Sequence, residues 1–173
     1  MRNFKSIILS ATAIALALTS CAMDKKISQT TSGLNPEKFS ATINGKQTSL
    51  YSMKNANGME VCITNFGGRI VSICVPDKNG DMKDVVLGFD SVAQYADIAH
   101  NPSDFGAAIG RYANRINKGQ ITIDGKMIQL PKNNFGHCLH GGPQGWQYQV
   151  YDGAKVNDST VTMTMNSKDG DAN

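Results

Sequence analysis

Asn114 and Arg115 in IGRYANRINKG (109–119) and His140 in NNFGHCLHGG (133–142) are the residues best equipped for chemistry. An asparagine amide offers a donor and an acceptor together, and an arginine a rigid fork of donors, a combination that suits vicinal sugar hydroxyls as well as carboxylates. An imidazole is a group able to give or take a proton near neutral pH. A loop rich in such groups and poor in aliphatic side chains points to a polar ligand. His137 and His140 also form H-x-x-H, the spacing of two metal ligands, but no third ligand is patterned nearby, and we expect no metal there. His137 and His100 are expected in exposed loops.

The elements that must hold these residues are short strands. From Phe39 onward, β-favouring runs alternate with turn dipeptides: Asn-Gly at 44, 57 and 79, Asp-Gly at 124, 152 and 169. Period-two alternation marks half-buried strands in QITIDGKMIQL, where Ile121 and Ile123 are expected opposite Ile128 and Leu130, and in TVTMTM, with Val161, Met163 and Met165 on one face. One short helix is expected in DSVAQYADI (90–98), capped by Asp90 or Ser91. The sole tryptophan, Trp146, could stack on a sugar face, but GWQYQVY reads as an alternating strand, and we expect the ring in the core.

The N-terminus has another pattern. A basic MRNFKS and an apolar IILSATAIALAL have the form of a signal peptide, and LTSC places small residues before Cys21 in the manner of a bacterial lipobox. The expected product is an exported lipoprotein of a bacterium, anchored to the membrane through lipid on Cys21 and facing the periplasm or the cell surface. Residues 1–20 are then signal peptide, 21–38 a polar tether and 39–173 the folded portion. Taking Arg2 and Lys5 from the 17 basic residues leaves 15 against 14 acidic ones, so the mature chain is nearly neutral rather than +3. Without a basic cluster, no nucleic-acid partner is expected. Cys62, Cys74 and Cys138 are widely spaced in apolar runs and read as buried free thiols, although an exported protein could oxidise two of them.

Three stretches, TNFGGRIVSICVPDKNGDMKDVVLGFDSVAQY, FGAAIGRYANRINKGQITIDGKMIQLPKNN and CLHGGPQGWQYQVY, resemble aldose 1-epimerase, the galactose mutarotase family, in order and spacing. The resemblance covers nearly all of 60–173. It implies an all-β fold, an antiparallel β-sandwich of the galactose mutarotase-like (supersandwich) type. The activity it implies is interconversion of the α and β anomers of free hexoses such as galactose and glucose, without cofactor. A base takes the anomeric proton while an acid protonates the ring oxygen; the ring opens, C1–C2 rotates and the ring recloses. Asn114 and Arg115 match the family's sugar-contacting pair, and His140 the histidine that bonds the sugar near its ring oxygen. Gly141 and Gly142 are expected to let backbone and ligand approach closely. Arg111 could equally make a structural ion pair and is not counted among the site residues. Arg69 stands where a small residue is common in that family turn, and the sequence offers no account of it.

The resemblance also implies a principal acid histidine about seventy residues past the LHGG motif and a base glutamate nearer the C-terminus, which no residue of this sequence matches. The expectation is therefore the N-terminal portion of such an enzyme, apparently truncated, with His140 in an assisting role and no activity by itself. A non-catalytic carbohydrate-binding protein on the same scaffold, or an inactive truncated product, are the alternatives.

Overall fold

A computed structural model of the chain describes residues 29–171. The expected signal peptide, Cys21 with its lipobox, the expected tether as far as residue 28 and residues 172–173 lie outside that range. Twelve strands occur in the described residues, with one five-residue α-helix and three short 3-10 turns.

The centre is an antiparallel sheet of β3 (Leu50–Lys54), β4 (Glu60–Thr64), β5 (Arg69–Pro76) and β6 (Met82–Asp84), in that order. Asx chemistry closes two of its turns: Asn55 Oδ1 accepts from the N–H groups of Asn57 and Met59, and Asp77 Oδ1 from those of Asn79 and Asp81. Residues of β4 alternate buried and half-buried, which puts Glu60, Cys62 and Thr64 on the inner face. On that face Cys62, Phe66 and Val71 pack with Leu34, Phe39, Val150 and the helix residues Val92 and Tyr95. The helix, α1 (Val92–Ala96), is capped by the Ser91 hydroxyl, which accepts from Gln94 N–H.

Folded structure begins earlier than Phe39. Leu34 is buried, Pro36–Phe39 forms a 3-10 turn capped by Asn35, and Thr31 N–H donates to Glu60 Oε1 at 2.6 Å. Residues 30–38, expected as the last part of the tether, are held to the sheet by the burial of Leu34 and by the Thr31–Glu60 bond.

Four two-stranded pairings complete the strands. β1 (Thr42–Ile43) and β2 (Lys46–Gln47) form a hairpin whose Asn44-Gly45 turn has φ of 52° and 73°, as a type I′ turn requires. β8 (Gln120–Ile123) pairs with β9 (Lys126–Gln129) with Ile121 opposite Ile128, while Ile123 stands opposite Lys126 and Leu130 lies buried beyond the strand. β11 (Asp152–Asn157) pairs with β12 (Thr160–Thr164), where Val161 and Met163 alternate inward as expected. Asp152-Gly153, expected as a turn, starts β11 instead. Gly153 leaves room for the Tyr51 ring, which a Cβ would meet at 2.7 Å, and Tyr51 Oη donates to its carbonyl. Buried Asn65 joins this hairpin to the central sheet, donating to Gln47 O and Tyr151 O and accepting from Ser49 N–H. The remaining pair, β7 (Arg115–Ile116) with β10 (Cys138–Leu139), carries the residues of chemical interest.

Candidate functional site

Two-residue strands are enough to bring together residues far apart in sequence. Ile116 pairs with Cys138 and Arg115 with Leu139, so Asn114 and His140 emerge side by side at one end of the ladder. There they bond to each other twice. His140 N–H donates to Asn114 O at 3.1 Å, and Asn114 N–H donates to His140 Nδ1 at 3.0 Å. Both residues have left-handed backbone, φ 59° at Asn114 and 53° at His140. That conformation costs a non-glycine residue about 1 kcal/mol.

The second bond fixes the imidazole tautomer. Nδ1 accepts, so in the neutral ring the proton sits on Nε2, which is left to donate outward. His140 is half-buried, whereas Asn114 and Arg115 are exposed. Asn114 Oδ1 accepts from Arg115 N–H at 2.8 Å, and Arg115 Nε donates to Asn134 Oδ1 at 2.8 Å, which holds the guanidinium beside the asparagine. The three expected site residues are therefore one cluster of outward-facing donors.

Sequence reasoning missed the residues that brace it. Asn133 completes the ladder with its side chain, accepting from Leu139 N–H at 2.8 Å and donating to Leu139 O at 3.0 Å. Asn134 orients Arg115, as above. The asparagine pair immediately before FGH was a visible turn signal, but its partners were not. His137 is half-buried rather than exposed, and its Nδ1 accepts from Lys118 N–H at 3.2 Å. Both histidines of H-x-x-H thus spend Nδ1 on backbone. No group of three or more His, Cys, Asp or Glu side chains among the described residues is placed to hold a metal ion. His100 is exposed and bonded to Asp97.

The glycine pair works differently from expectation. A Cβ on Gly141 would come within 2.0 Å of Gly110 O, and one on Gly142 within 3.3 Å of the Pro131 ring, so both clear space for protein rather than ligand. Trp146 lies in a 3-10 turn, Trp146–Tyr148, not in a strand. Its ring is half-buried and seated on Gly110, where a Cβ would meet it at 2.1 Å. It borders a cavity of about 280 Å3 with Asn44, Lys46, Gln144, Asp152 and Asn166, and none of Asn114, Arg115 or His140 lines that cavity. Arg111 donates to Lys168 O. All three described cysteines are buried free thiols. Burial, with the Glu60 carboxylate beside it, pushes the Cys62 thiol up to about 12.

The described residues form an antiparallel all-β scaffold that presents a cluster of hydrogen-bonding side chains on a short ladder. Comparison with known proteins assigns it: the family model described as aldose 1-epimerase matches residues 49–173, and the chain belongs to that family. It is 34% identical over 127 residues to aldose 1-epimerase of Escherichia coli K12, covering 73% of this chain and 36% of that one. It is 39% identical over 113 residues to galactose mutarotase of Bos taurus, covering 65% of this chain and 32% of that one. The chain thus spans about a third of the length of these two curated relatives.

Solved structures agree on the fold. The GalM/aldose epimerase homologue of C. elegans superposes with a TM-score of 0.67 at 30% identity, over 72% of this chain and 38% of that one. Galactose 1-epimerase of Lactobacillus acidophilus NCFM gives 0.63 at 26% identity, over 75% and 37%. The fold is the all-β, mutarotase-like sandwich that the sequence resemblance implies.

Proposed function

We propose that this chain carries the sugar-holding part of an aldose 1-epimerase acting on free hexoses such as galactose and glucose. The observation that supports it is the doubly bonded Asn114–His140 pair with Arg115 beside it, inside the matched family region. In this reading Asn114 and Arg115 hold vicinal hydroxyls, and His140 Nε2–H donates to the ring oxygen. Negative charge gathers on that oxygen as the C1–O5 bond breaks, so a donor already aimed there favours ring opening. His140 assists, and the principal acid and base are the later histidine and glutamate that the resemblance implies.

On this reading the 173 residues bind sugar without accelerating anomer exchange. Titration with D-galactose, followed by NMR, should saturate in the wild type and be lost in His140→Ala. Polarimetry on freshly dissolved α-galactose should show the buffer rate. An enhanced rate that vanished in His140→Ala would mean the chain is catalytically sufficient, and wild-type spectra unmoved by galactose would remove the sugar-holding role.

The lipobox supports a further proposal, that the mature protein is an exported bacterial lipoprotein anchored through Cys21. No helix among the described residues is long and apolar enough to cross a membrane.

A further inference from the structure

Arg69 is fully buried, at 0% exposure, and has the largest side chain of the fully buried set. Its guanidinium carbon lies 5.0 Å from the Tyr95 ring centre and 5.6 Å from that of Phe66. Three neutral carbonyls receive its hydrogen bonds: Nη1 donates to Ser103 O and Phe105 O, each at 3.2 Å, and Nη2 to Gln147 O at 2.9 Å. Burial pulls its pKa below the ordinary arginine value, opposed mainly by the nearby Asp104 carboxylate. Desolvating a cation for carbonyl partners is expensive, and here its bonds hold three separate backbone carbonyls in one geometry.

What it fixes is Gln147, itself 1% exposed. The Gln147 amide Nε2 donates to His140 O at 2.9 Å. The amide cannot be turned over, because its oxygen would then face the His140 carbonyl oxygen. Two glycines make the approach possible. A Cβ on Gly67 would come within 2.4 Å of Gln147 O and 2.9 Å of Arg69 Nε. One on Gly145 would come within 2.4 Å of both Gln147 Oε1 and His140 O. The backbone of Gly145, φ −55°, is open to any residue, so the glycine there serves space alone.

We propose that Arg69 and Gln147 are positioning residues for His140. Arg69 clamps the Gln147 backbone, the Gln147 amide clamps the His140 carbonyl, and Asn114 holds the His140 N–H and Nδ1. Together they fix the left-handed backbone at His140 and aim Nε2 outward. The inference deepens the sugar-contacting reading of His140 and rests on it for its functional meaning. A lysine cannot replace Arg69, since a single ammonium on a flexible stem does not span three separate carbonyls.

The test is NMR of the 15N-labelled full chain. In the wild type, a coupling across the Asn114 N–H···Nδ1 bond and the Nε2–H tautomer of His140 are expected, and their absence overturns the proposal without any variant. Gln147→Met keeps the side chain's length and removes the donor. It should weaken that coupling, mix the His140 tautomers and lower galactose affinity about tenfold. Arg69→Lys should move the same signals, and if it does not fold, Gln147→Met decides. Val92→Ala, a core cavity in the helix away from His140, controls for destabilisation alone. If Gln147→Met alters the His140 ring signals no more than Val92→Ala does, the proposal fails. If Gln147→Met shifts the tautomer but the wild type never binds galactose, the positioning stands and the sugar reading falls.

Discussion

Asn114 and His140 exchange two hydrogen bonds, N–H to carbonyl at 3.1 Å and N–H to ring nitrogen at 3.0 Å, with left-handed backbone on both sides. Each residue thus supplies the partner that makes the other's unusual conformation tolerable, and the ring is oriented by backbone rather than by a neighbouring carboxylate.

Backbone and side-chain roles of Asn114 can be separated. Asn114→Gly and Asn114→Ala both lose the acceptor for Arg115 N–H, but only alanine must also bear φ 59°. Urea unfolding should place the alanine variant about 1 kcal/mol below the glycine variant. Equal stabilities would show that the loop relaxes out of the left-handed region.

Gly110 seats the tryptophan ring. Gly110→Ala puts a methyl 2.1 Å from Trp146 Cε3, and the clash is expected to cost about 1–3 kcal/mol. Because Trp146 is the only tryptophan, its emission reports the displacement directly. An unchanged spectrum and melting temperature would mean that the ring is not seated there.

The three buried thiols should resist a water-soluble thiol reagent in the native state and react in urea, as mapped peptide by peptide at Cys62, Cys74 and Cys138. Reaction of Cys62 in the native protein at the rate of a model thiol would contradict its burial.

The same burial has a pH signature. Cys62 is raised from 9.0 to about 12 by burial first and Glu60 second, and burial also raises Cys138, Tyr95, Tyr148 and Tyr151. An unfolded chain loses the Cys62 proton first, so its stabilising contribution is whole below pH 9.0 and drains away as pH rises toward about 12. The urea midpoint should therefore fall across that window, and a midpoint constant through it would count against the raised values.

Lipidation is tested in cells. A labelled fatty acid should be incorporated into the protein and lost in Cys21→Ala; equal labelling of the two would exclude Cys21 as the lipid acceptor, and none of the wild type argues for an ordinary cleaved leader.

Local chemistry was legible before the tertiary structure. Asn44-Gly45 and Asp124-Gly125 needed only their own backbone freedom to make hairpins, and Ser91 its own hydroxyl to cap α1. Period two sufficed for Val161 and Met163, because alternation is a property of the strand itself. The turn-dipeptide signal misplaced Asp152-Gly153, where the demand was space for Tyr51 from a distant strand rather than a turn. The packing of Leu34 was also missed, because its burial depends on a core that no local pattern describes.

For the site the division is similar. The residue types of Asn114, Arg115 and His140, in a recognisable family order, identified the candidates from the sequence alone. Their convergence came from the β7–β10 ladder, and the tautomer of His140 from a bond to an amide 26 residues away. Arg69, which no local pattern explained, acquires its partners from three carbonyls more than thirty residues along the chain. Composition and spacing determine which groups a chain can offer; which way they face is decided by long-range hydrogen bonds and by where a missing Cβ leaves room, and those exist only once the chain has folded.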